Sequence, residues 1–240
     1  MSDRALAERL VRTAGAVALE LRGGAVEVKG DATDVVTAAD RRAEAVLLDL
    51  LRVERPDDGV LGEEGAAVAG AGRRWLLDPV DGTLNYATGL PAWCAAVALL
   101  DGDAALVSAV YDPVADELFS AARGAGEHTL GSAPPLGEAT VATFVDIRRR
   151  DPEITAGTAA LLARIGALRA SGCGSLELAW VADGRLHGWV QADVEPWDWH
   201  PGALLVAEAG GAIAVRGRWH VVAASAALCD ELLAVVALSA

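Results

Sequence analysis

The segment WLLDPVDGTLNY, residues 75–86, places two carboxylates on one tight bend. Asp78 and Asp81 flank Pro79-Val80, and Gly82-Thr83 follow at once. The apolar residues before Asp78 indicate that it lies at the end of a buried strand. Two close carboxylates repel each other unless cations lie between them, and Mg²⁺ prefers oxygen ligands. Because backbone N–H groups at a helix start attract phosphate, the segment predicts a metal-assisted site for a phosphate ester.

Two further segments carry carboxylates next to apolar runs. Gly62-Glu63-Glu64-Gly65 follows Val60-Leu61, and Glu195-Pro196-Trp197-Asp198-Trp199-His200 precedes a helix-like apolar run that ends at Gly210-Gly211. Taken alone, each carboxylate has an ordinary explanation, since Asp-Pro and Asp-Gly form turns, Glu-Glu pairs are commonly solvated and Asp often caps a helix. The tryptophans on either side of Asp198 favour a half-buried carboxylate, which needs a charge partner.

In this order the three segments resemble the inositol monophosphatase family, which consists of Mg²⁺-dependent, lithium-sensitive phosphatases. The resemblance runs from Val28-Lys29 to Gly210-Gly211. It implies an α+β fold, a layered α/β/α/β/α sandwich of the inositol monophosphatase and fructose-1,6-bisphosphatase type, and the blocks of helices and strands favour the same class. We expect one domain over residues 1–240 with two lobes, at about 1–135 with the metal motifs and about 136–240 with the substrate-side loop and the last metal ligand.

The resemblance also implies the metal site. It gives as metal ligands Glu63, Asp78, the carbonyl oxygen of Val80, Asp81 and Asp198. Glu64 and Lys29 would support these ligands from around the site, Lys29 by offsetting carboxylate charge, although a plain surface lysine is nearly as good an interpretation. The implied cofactor is Mg²⁺, with two or three ions per site, and Mn²⁺ could substitute for it.

Asp40 has a structural and a catalytic interpretation. Thr37-Ala38-Ala39-Asp40 is close to a capping box, which would make Asp40 part of a helix start. The resemblance instead makes Asp40 the partner of Thr83, so that the pair orients and deprotonates the attacking water. We favour the catalytic interpretation, and the predicted catalytic residues are Asp40, Thr83 and Glu63.

The same resemblance gives the substrate-binding residues, which are Gly82, Thr83, Gly174, Gln191 and Asp198. The segment 171–175 matches the substrate-side loop, but Cys173 and Gly174 stand where Ser and Ala are more usual. Gln191 stands where inositol phosphatases carry an acidic residue, seven positions before the WD aspartate. A neutral amide can bond a hydroxyl as donor and acceptor, but it does not favour a cation.

These observations predict an enzyme, a metal-dependent phosphoric monoester hydrolase that acts on a small molecule such as inositol-1-phosphate by means of a metal-activated water. Histidinol phosphate, fructose-1,6-bisphosphate and 3′-phosphoadenosine 5′-phosphate are alternative substrates within the family. An alternative of another class is a non-catalytic regulatory or binding protein on the same fold, since some bacterial members contact the transcription machinery. The complete set of carboxylates favours the enzyme. Family members are commonly homodimers, so we expect a homodimer here.

The composition restricts the classes of binding partner and the cellular compartment that we expect. Acidic residues outnumber basic ones by 34 to 20, and the resulting net charge of −14 disfavours nucleic acid and anionic membranes as partners. Cys94, Cys173 and Cys229 lack CxxC spacing, which predicts buried free thiols in a reducing compartment. The sequence shows no apolar signal-peptide core and no apolar run near the ~20 residues of a membrane span. We therefore expect a cytoplasmic protein.

Hydrophobic periodicity predicts the elements that carry these motifs. Helices are expected over residues 6–21, from about Thr37, over 155–168 and 176–182, after Asp198 with Pro201 in the first turn, and after a Ser225 cap. An antiparallel meander is expected over residues 93–121, and further strands at 26–36, 139–147, 186–191, 213–215 and 220–223.

Overall fold

The structure is a computed structural model that describes residues 1–24, 26–28, 35–126, 130–144 and 151–237. Its helices are α1 (Asp3–Leu21), α2 (Ala38–Glu54), α3 (Thr83–Thr88), α4 (Pro152–Leu162), α5 (Gly174–Ala182), α6 (Pro196–Glu208) and α7 (Ala226–Ala237), with a 3₁₀ turn at Leu136–Glu138. None of the described helices is both long enough and apolar enough to cross a membrane.

The strands of the described residues form three sheets. They are β1 (Val26–Val28), β2 (Val35–Thr37), β3 (Gly59–Gly62), β4 (Ala67–Val68), β5 (Arg73–Asp81), β6 (Cys94–Asp101), β7 (Ala104–Asp112), β8 (Glu117–Ala122), β9 (Thr140–Thr143), β10 (Ala167–Arg169), β11 (Gly188–Ala192), β12 (Ala212–Arg216) and β13 (Trp219–Ala223). β1 and β2 form an antiparallel hairpin. The six-stranded sheet has the order β4-β3-β5-β6-β7-β8, and the five-stranded sheet has the order β10-β9-β11-β13-β12.

The apolar side chains pack into five layers. One face of the six-stranded sheet packs on α1 and α2, and its other face packs on α5 and α6. The far side of α5 and α6 packs on the five-stranded sheet, whose outer face is covered by α4 and α7. This order is the expected α/β/α/β/α sandwich, and it leaves α5 and α6 as a central layer between two sheets.

Strand β6 shows why the middle of the six-stranded sheet is buried on both faces. Ala95, Val97 and Leu99 join the cluster with α1 and α2, whereas Ala96 and Ala98 join the cluster with α5 and α6. Alternation with a period of two residues sends successive side chains to opposite faces. Small alanines on the second face allow the central helices to lie close to the sheet. Strands β6 to β8 form the antiparallel meander that the sequence predicts, and β5 pairs antiparallel with β6.

The predicted helix over 155–168 is wrong at its carboxyl end. Helix α4 ends at Leu162, and residues Ala167–Arg169 form β10, parallel to β9. The N–H groups of Gly166 and Ala167 both donate to the carbonyl oxygen of Ala139, at 3.0 Å each. A Cβ on Gly166 would lie 2.7 Å from the backbone of Glu138. Pairing with a neighbouring strand therefore overrides the helical pattern of the sequence.

Helix α6 also differs from the prediction. It begins at Pro196 and so contains Asp198, and Pro201 lies inside it, beyond the first turn. An interior proline removes one backbone hydrogen bond, and here the residue is buried. Next to it, Gly202 allows α6 to approach α5, since a Cβ at Gly202 would lie 2.2 Å from Cβ of Leu178. The interior proline of α6 therefore lies next to the residue at which α6 closely approaches α5.

The remaining predicted elements are confirmed within the described residues. Helix α1, the hairpin β1-β2, the start of α2 at Thr37, helix α5 and strands β11 to β13 lie where expected, with bounds shifted by a few residues. The N–H of Leu228 donates to Oγ of Ser225 at 3.3 Å, which supports the predicted cap of α7. Residues 145–150, the end of one predicted strand, lie outside the described residues.

Candidate active site

The bend at residues 78–81 is a bulge in the six-stranded sheet. Asp78 is paired with Ala96 and Asp81 with Cys94, so β5 uses one more residue than β6 between these pairs. Pro79 has no N–H for the ladder, which favours such an irregularity. The N–H of Val80 donates to Oδ1 of Asp78 at 3.1 Å. The strand therefore continues through the bend to Asp81, beyond the end that the sequence predicts.

Three of the predicted metal ligands come together at this bulge. One carboxylate oxygen from each of Asp78, Asp81 and Asp198 lies within 4.8 Å of the other two. Asp78 is 1% exposed and Asp81 is 8% exposed. Asp198 is half-buried and reaches the group from the first turn of α6, beside the buried Trp199. Two distant segments of the chain thus supply one acidic cluster, which we define as these three aspartates.

The pKa of each aspartate of the acidic cluster is raised, and burial is the largest cause in every case. Burial raises the pKa of Asp78 most, followed by the charges of Glu63, Asp81 and Asp198, and the result lies well above the ordinary value. Burial and then the charges of Asp81 and Glu63 likewise raise the pKa of Asp198 well above its usual range. Buried carboxylates that repel one another and offer oxygen ligands fit a hard divalent cation, which would compensate their charge.

The pKa of Asp81 is raised less because it has a hydrogen-bond partner. Burial is the largest influence and raises its pKa, while the backbone N–H of Ser175 opposes the rise. That N–H donates to Oδ2 of Asp81 at 2.6 Å. Gly174, predicted to bind substrate, is the first residue of α5, and its backbone also lowers the pKa of Asp81. The amino end of α5 is therefore seated against the acidic cluster.

Glu63 lies in the turn after β3, outside the group of three but close enough to act on it. Its charge raises the pKa of both Asp78 and Asp198, and its N–H donates to the carbonyl oxygen of Leu77 at 3.1 Å. This places Glu63 beside the strand that carries Asp78. Its role as a metal ligand remains a prediction.

Glu44 organises the turn that carries Glu63 and Glu64, and the sequence analysis missed it. This buried residue of α2 accepts the N–H of Glu64 at Oε2 and the N–H of Ala66 at Oε1, each at 3.0 Å. A Cβ on Gly62 would lie 2.0 Å from Oε2 of Glu44, so the glycine makes room for the carboxylate. The available signal was a glutamate among the apolar positions of α2, one helical turn after Asp40.

Asp40 caps α2 and also contacts Thr83, and its catalytic role remains a prediction. The capping box is present, with Oδ2 of Asp40 accepting both the N–H of Thr37, at 2.9 Å, and its hydroxyl. Oδ1 of Asp40 accepts the hydroxyl of Thr83 at 3.1 Å. The same hydroxyl lies 3.0 Å from the carbonyl oxygen of Val80. The predicted pair of Asp40 and Thr83 is therefore in contact, next to the backbone of the bulge.

Two buried thiols lie directly behind Asp81. The Sγ atoms of Cys94 and Cys173 are 3.5 Å apart, and Cys173 donates to the carbonyl oxygen of Asp81 at 3.3 Å. Burial raises the pKa of Cys94 to about 12 and that of Cys173 well above its usual range. All three cysteines are buried and free, as predicted. No sequence pattern indicates the contact between Cys94 and Cys173.

The remaining predicted site residues are Gly82, Gln191 and Lys29. Gly82 caps α3 in the left-handed region, with φ of +87°, and a Cβ there would lie 3.0 Å from the carbonyl oxygen of Ala92. Gln191 lies in β11 opposite His220, and its role in substrate binding remains a prediction. Lys29 lies outside the described residues.

Known proteins share both the sequence pattern and this architecture. The model of the inositol monophosphatase family matches residues 2–234. The chain belongs to this family. It is 35% identical over 202 residues to an inositol-1-monophosphatase of Rhizobium meliloti (strain 1021), which covers 80% of this chain and 76% of that protein. It is also 35% identical over 186 residues to the Nus factor SuhB of Xylella fastidiosa (strain Temecula1), which covers 74% of this chain and 68% of that protein.

The crystal structure of the extragenic suppressor protein suhB from Bartonella henselae has the same fold. It superimposes with a TM-score of 0.90 at 27% identity and covers 97% of each chain. The inositol monophosphatase family acts on small-molecule phosphate esters and is generally metal-dependent. The chain is thus an enzyme of the phosphatase class with an α+β layered fold, and it contains an acidic cluster that could bind a metal.

Proposed function

We propose that this protein hydrolyses a small phosphate monoester of the inositol-1-phosphate type, with Mg²⁺ held by the acidic cluster. The observation that carries this proposal is the convergence of Asp78, Asp81 and Asp198 within 4.8 Å. Burial, and then the charges of neighbouring carboxylates, raise the pKa of Asp78 and Asp198, which supports a site whose charge a cation compensates. Two or three ions per site are proposed, with Mn²⁺ as a possible substitute.

The proposed ligands are the three aspartates, Glu63 and the carbonyl oxygen of Val80. A carbonyl oxygen has two lone pairs, so that of Val80 can accept from Thr83 and still bind a cation. When bound, Mg²⁺ would supply the positive charge that acidifies a water molecule and offsets the charge of the phosphoryl oxygens. Because family resemblance and geometry agree on Asp78, Asp81 and Asp198, these residues are the strongest part of the proposal.

Thr83 and Asp40 are proposed to orient and deprotonate the attacking water. A hydroxyl has one proton to donate and lone pairs to accept with. When the hydroxyl of Thr83 donates its hydrogen bond to Asp40, its oxygen can accept a hydrogen bond from the water. As the water gives its proton to Thr83, the hydroxyl proton of Thr83 passes to Asp40. Thr37 occupies the other carboxylate oxygen of Asp40, which fixes the carboxylate in place. Burial raises the pKa of Asp40, which favours its acceptance of a proton.

The substrate is proposed to lie between the bulge and the central helices. The backbone N–H groups of Gly82 and Thr83, at the start of α3, would bind the phosphate, since the first N–H groups of a helix have no partner within it. Gly174, Gln191 and Asp198 would contact the alcohol. Because Gln191 is neutral, a polyol such as inositol suits this position better than the cationic histidinol.

The experiment is phosphate release from four esters in the presence of Mg²⁺. The panel contains inositol-1-phosphate, histidinol phosphate, fructose-1,6-bisphosphate and 3′-phosphoadenosine 5′-phosphate, each with and without Li⁺. We expect Mg²⁺-dependent, lithium-sensitive turnover with inositol-1-phosphate as the preferred ester. Preference for another ester would retain the mechanism and replace the substrate.

Matched variants connect the activity to the site. Asp198→Asn should remove most of the activity. Asp112→Asn is the control, because Asp112 is also buried and accepts the N–H groups of Val114 and Ala115 at 2.8 and 3.0 Å, but it lies outside the acidic cluster. Full activity of Asp198→Asn would contradict the assignment of that residue.

A regulatory role is the second candidate, and the relative named Nus factor SuhB favours it. Absence of turnover on all four esters, in a folded protein, would shift weight to this candidate. By analogy with the family we also propose a cytoplasmic homodimer without nucleic-acid or membrane partners. Analytical ultracentrifugation would test the dimer.

A further inference from the structure

Glu177 is a buried carboxylate that the mechanism above does not use. It lies in the first turn of α5 and is 0% exposed. Its Oε1 accepts the N–H of Ser171 at 2.6 Å and the hydroxyl of Ser171 at 2.7 Å, while Oε2 accepts Nε1–H of Trp189 at 3.2 Å. Three donors therefore converge on one carboxylate inside the central layer. Burial raises the pKa of Glu177 to about 7.

Ser171 is held from the opposite side by the six-stranded sheet and its helix α3. Nδ2 of Asn85 donates to the carbonyl oxygen of Ser171 and to that of Ala92, at 2.7 Å each. The N–H, hydroxyl and carbonyl of Ser171 are therefore all bonded. Gly172, with φ of +80°, turns the chain directly afterwards, and a Cβ there would lie 3.4 Å from Asn85. Ser171 is thus a fixed point between α3 and α5.

Ser171, held in this way, lies four residues before Ser175, which contacts Asp81. From Ser171 the chain passes through Cys173 to Ser175, whose N–H donates to Oδ2 of Asp81. Glu177 lies in the same helical turn as Ser175 and holds the loop that precedes it. The carboxylate therefore fixes where α5 begins and where the N–H of Ser175 points, without itself belonging to the acidic cluster.

We propose that Glu177 is a positioning residue that, through Ser171, holds the amino end of α5 against Asp81 and so sets the affinity of the acidic cluster for divalent cations. This inference rests on the metal site of the proposed function. Partners that orient metal ligands commonly change metal affinity by roughly 10- to 100-fold when mutated. Glu177 acts one step further away, through a loop and a helix start.

The decisive variant is Glu177→Gln, which conserves size and removes acceptor capacity. A glutamine has one acceptor oxygen and an NH₂ group that only donates. If its oxygen faces Ser171, its NH₂ faces Nε1–H of Trp189; the flipped amide faces Ser171 with donors instead. Either orientation sets donor against donor in a buried site. The first loses the bond to Trp189 and displaces the side chain of residue 177, and the flipped one loses the bonds to Ser171 and displaces the loop, so neither keeps both contacts of the carboxylate. We expect the Kd for Mn²⁺ to rise roughly 3- to 10-fold, at the lower edge of the effect of ligand-orienting partners.

Glu208→Gln is the matched control. Glu208, at the end of α6, likewise holds a loop by accepting backbone N–H, here from Gly124 and Gly126, at 2.8 and 3.0 Å. The same substitution there removes the same kind of interaction from a loop that does not lead to Asp81. Its Kd for Mn²⁺ should equal that of the unmodified protein. Ser171→Ala, which removes one hydroxyl and retains the N–H bond, should weaken Mn²⁺ binding by less than Glu177→Gln.

The measurement is Mn²⁺ binding to the full chain, followed by the electron paramagnetic resonance signal of free Mn²⁺, with the unfolding temperature of each metal-free variant alongside. Weaker binding in Glu177→Gln and not in Glu208→Gln, at comparable unfolding temperatures, supports the proposal. An unchanged Kd in Glu177→Gln, even with a lowered unfolding temperature, overturns it and leaves Glu177 a purely structural role. Absence of Mn²⁺ binding to the unmodified protein would also overturn it.

Phosphate release from inositol-1-phosphate separates this inference from the proposed function. If the unmodified protein binds Mn²⁺ but hydrolyses none of the four esters, the proposed function fails. A higher Kd in Glu177→Gln would still support the positioning role in that case. If the protein is active and the Kd is unchanged, the proposed function stands and the role of Glu177 is rejected.

Discussion

The six-stranded sheet and the two central helices contribute to the acidic cluster in different ways. The six-stranded sheet supplies Asp78 and Asp81 from a strand that is hydrogen-bonded on both sides, at a bulge around Pro79. The central helices supply Asp198 from the first turn of α6 and the N–H of Ser175 from the first turn of α5. Strands fix position, whereas the amino ends of helices carry positive partial charge that favours nearby carboxylates. The sheet thus holds two carboxylates in fixed positions, and the amino ends of the central helices compensate part of their charge.

The difference is visible in the two neighbouring aspartates of the bulge. The largest influences on the pKa of Asp78 all raise it: burial first, then the charges of three carboxylates and of Cys173. For Asp81, burial is opposed by backbone N–H groups at the start of α5. We therefore expect Asp78 to depend on a bound cation more than Asp81 does.

The largest expected effect is that of Asp78→Asn. An amide cannot provide the charge of a carboxylate, so phosphate release should fall by about 100-fold or more. The metal-free variant should nevertheless be more stable, by roughly 1–2 kcal/mol, because removal of one like charge relieves the repulsion in a buried cluster. Steady-state kinetics and urea unfolding in EDTA measure the two effects.

Asp81→Asn provides the comparison for that variant. Asp81 already has a donor in Ser175, and an amide oxygen can keep that bond. Its gain in metal-free stability should therefore be smaller than that of Asp78→Asn. A larger gain for Asp81→Asn would mean that the amino end of α5 contributes little compensation, and the contrast between the sheet and the central helices would be lost.

Addition of metal should have the next largest effect. A ligand that binds only the folded protein stabilises it by about 2.7 kcal/mol at 100 times its Kd. Mg²⁺ at that concentration should raise the free energy of unfolding by about this amount, and EDTA should reverse the change. Asp78→Asn should lose most of this gain. Equal stabilisation of the variant by Mg²⁺ would place the cation elsewhere in the molecule.

The parts of the fold and site that the sequence predicted are those with local signals. The capping box at Thr37 and the meander after residue 93 depend on neighbours within a few positions, and both are present. The segment at residues 75–86 predicted a strand that leads into a carboxylate pair, because apolar residues precede Asp78 and turn residues follow it. The family resemblance then connected Asp198 to this segment across the length of the chain.

The parts that were missed depend on tertiary contacts. Glu44 and Glu177 are buried acidic residues among mostly apolar helix positions. Glu44 accepts two backbone N–H groups, and Glu177 accepts that of Ser171, contacts that no sequence pattern marks. The three-residue strand β10 exists because Ala139 accepts two N–H groups from it and its preceding turn, against a helical periodicity. Buried acidic residues of this kind are therefore worth testing as organisers of loops in other sequences.

The smallest expected effect is that of Cys173→Ser. Cys173 precedes α5 and contacts Cys94 of the six-stranded sheet. A hydroxyl in Cys173→Ser can still donate to the carbonyl oxygen of Asp81, so activity should change by less than about threefold, or under ~1 kcal/mol in transition-state energy. The loss of the polarisable sulfur contact at 3.5 Å should lower the free energy of unfolding by about 1 kcal/mol.

Kinetics and urea unfolding of Cys173→Ser test this expectation, with Cys229→Ser as the control. Cys229 is also buried but lies in α7, on the outer face of the five-stranded sheet. Both variants should lose some stability because each places a hydroxyl in an apolar site. If Cys173→Ser alone loses tenfold or more in activity, the thiol does more than fill space. In that case the position of the amino end of α5 against Asp81 depends on the sulfur of Cys173 as well as on Glu177.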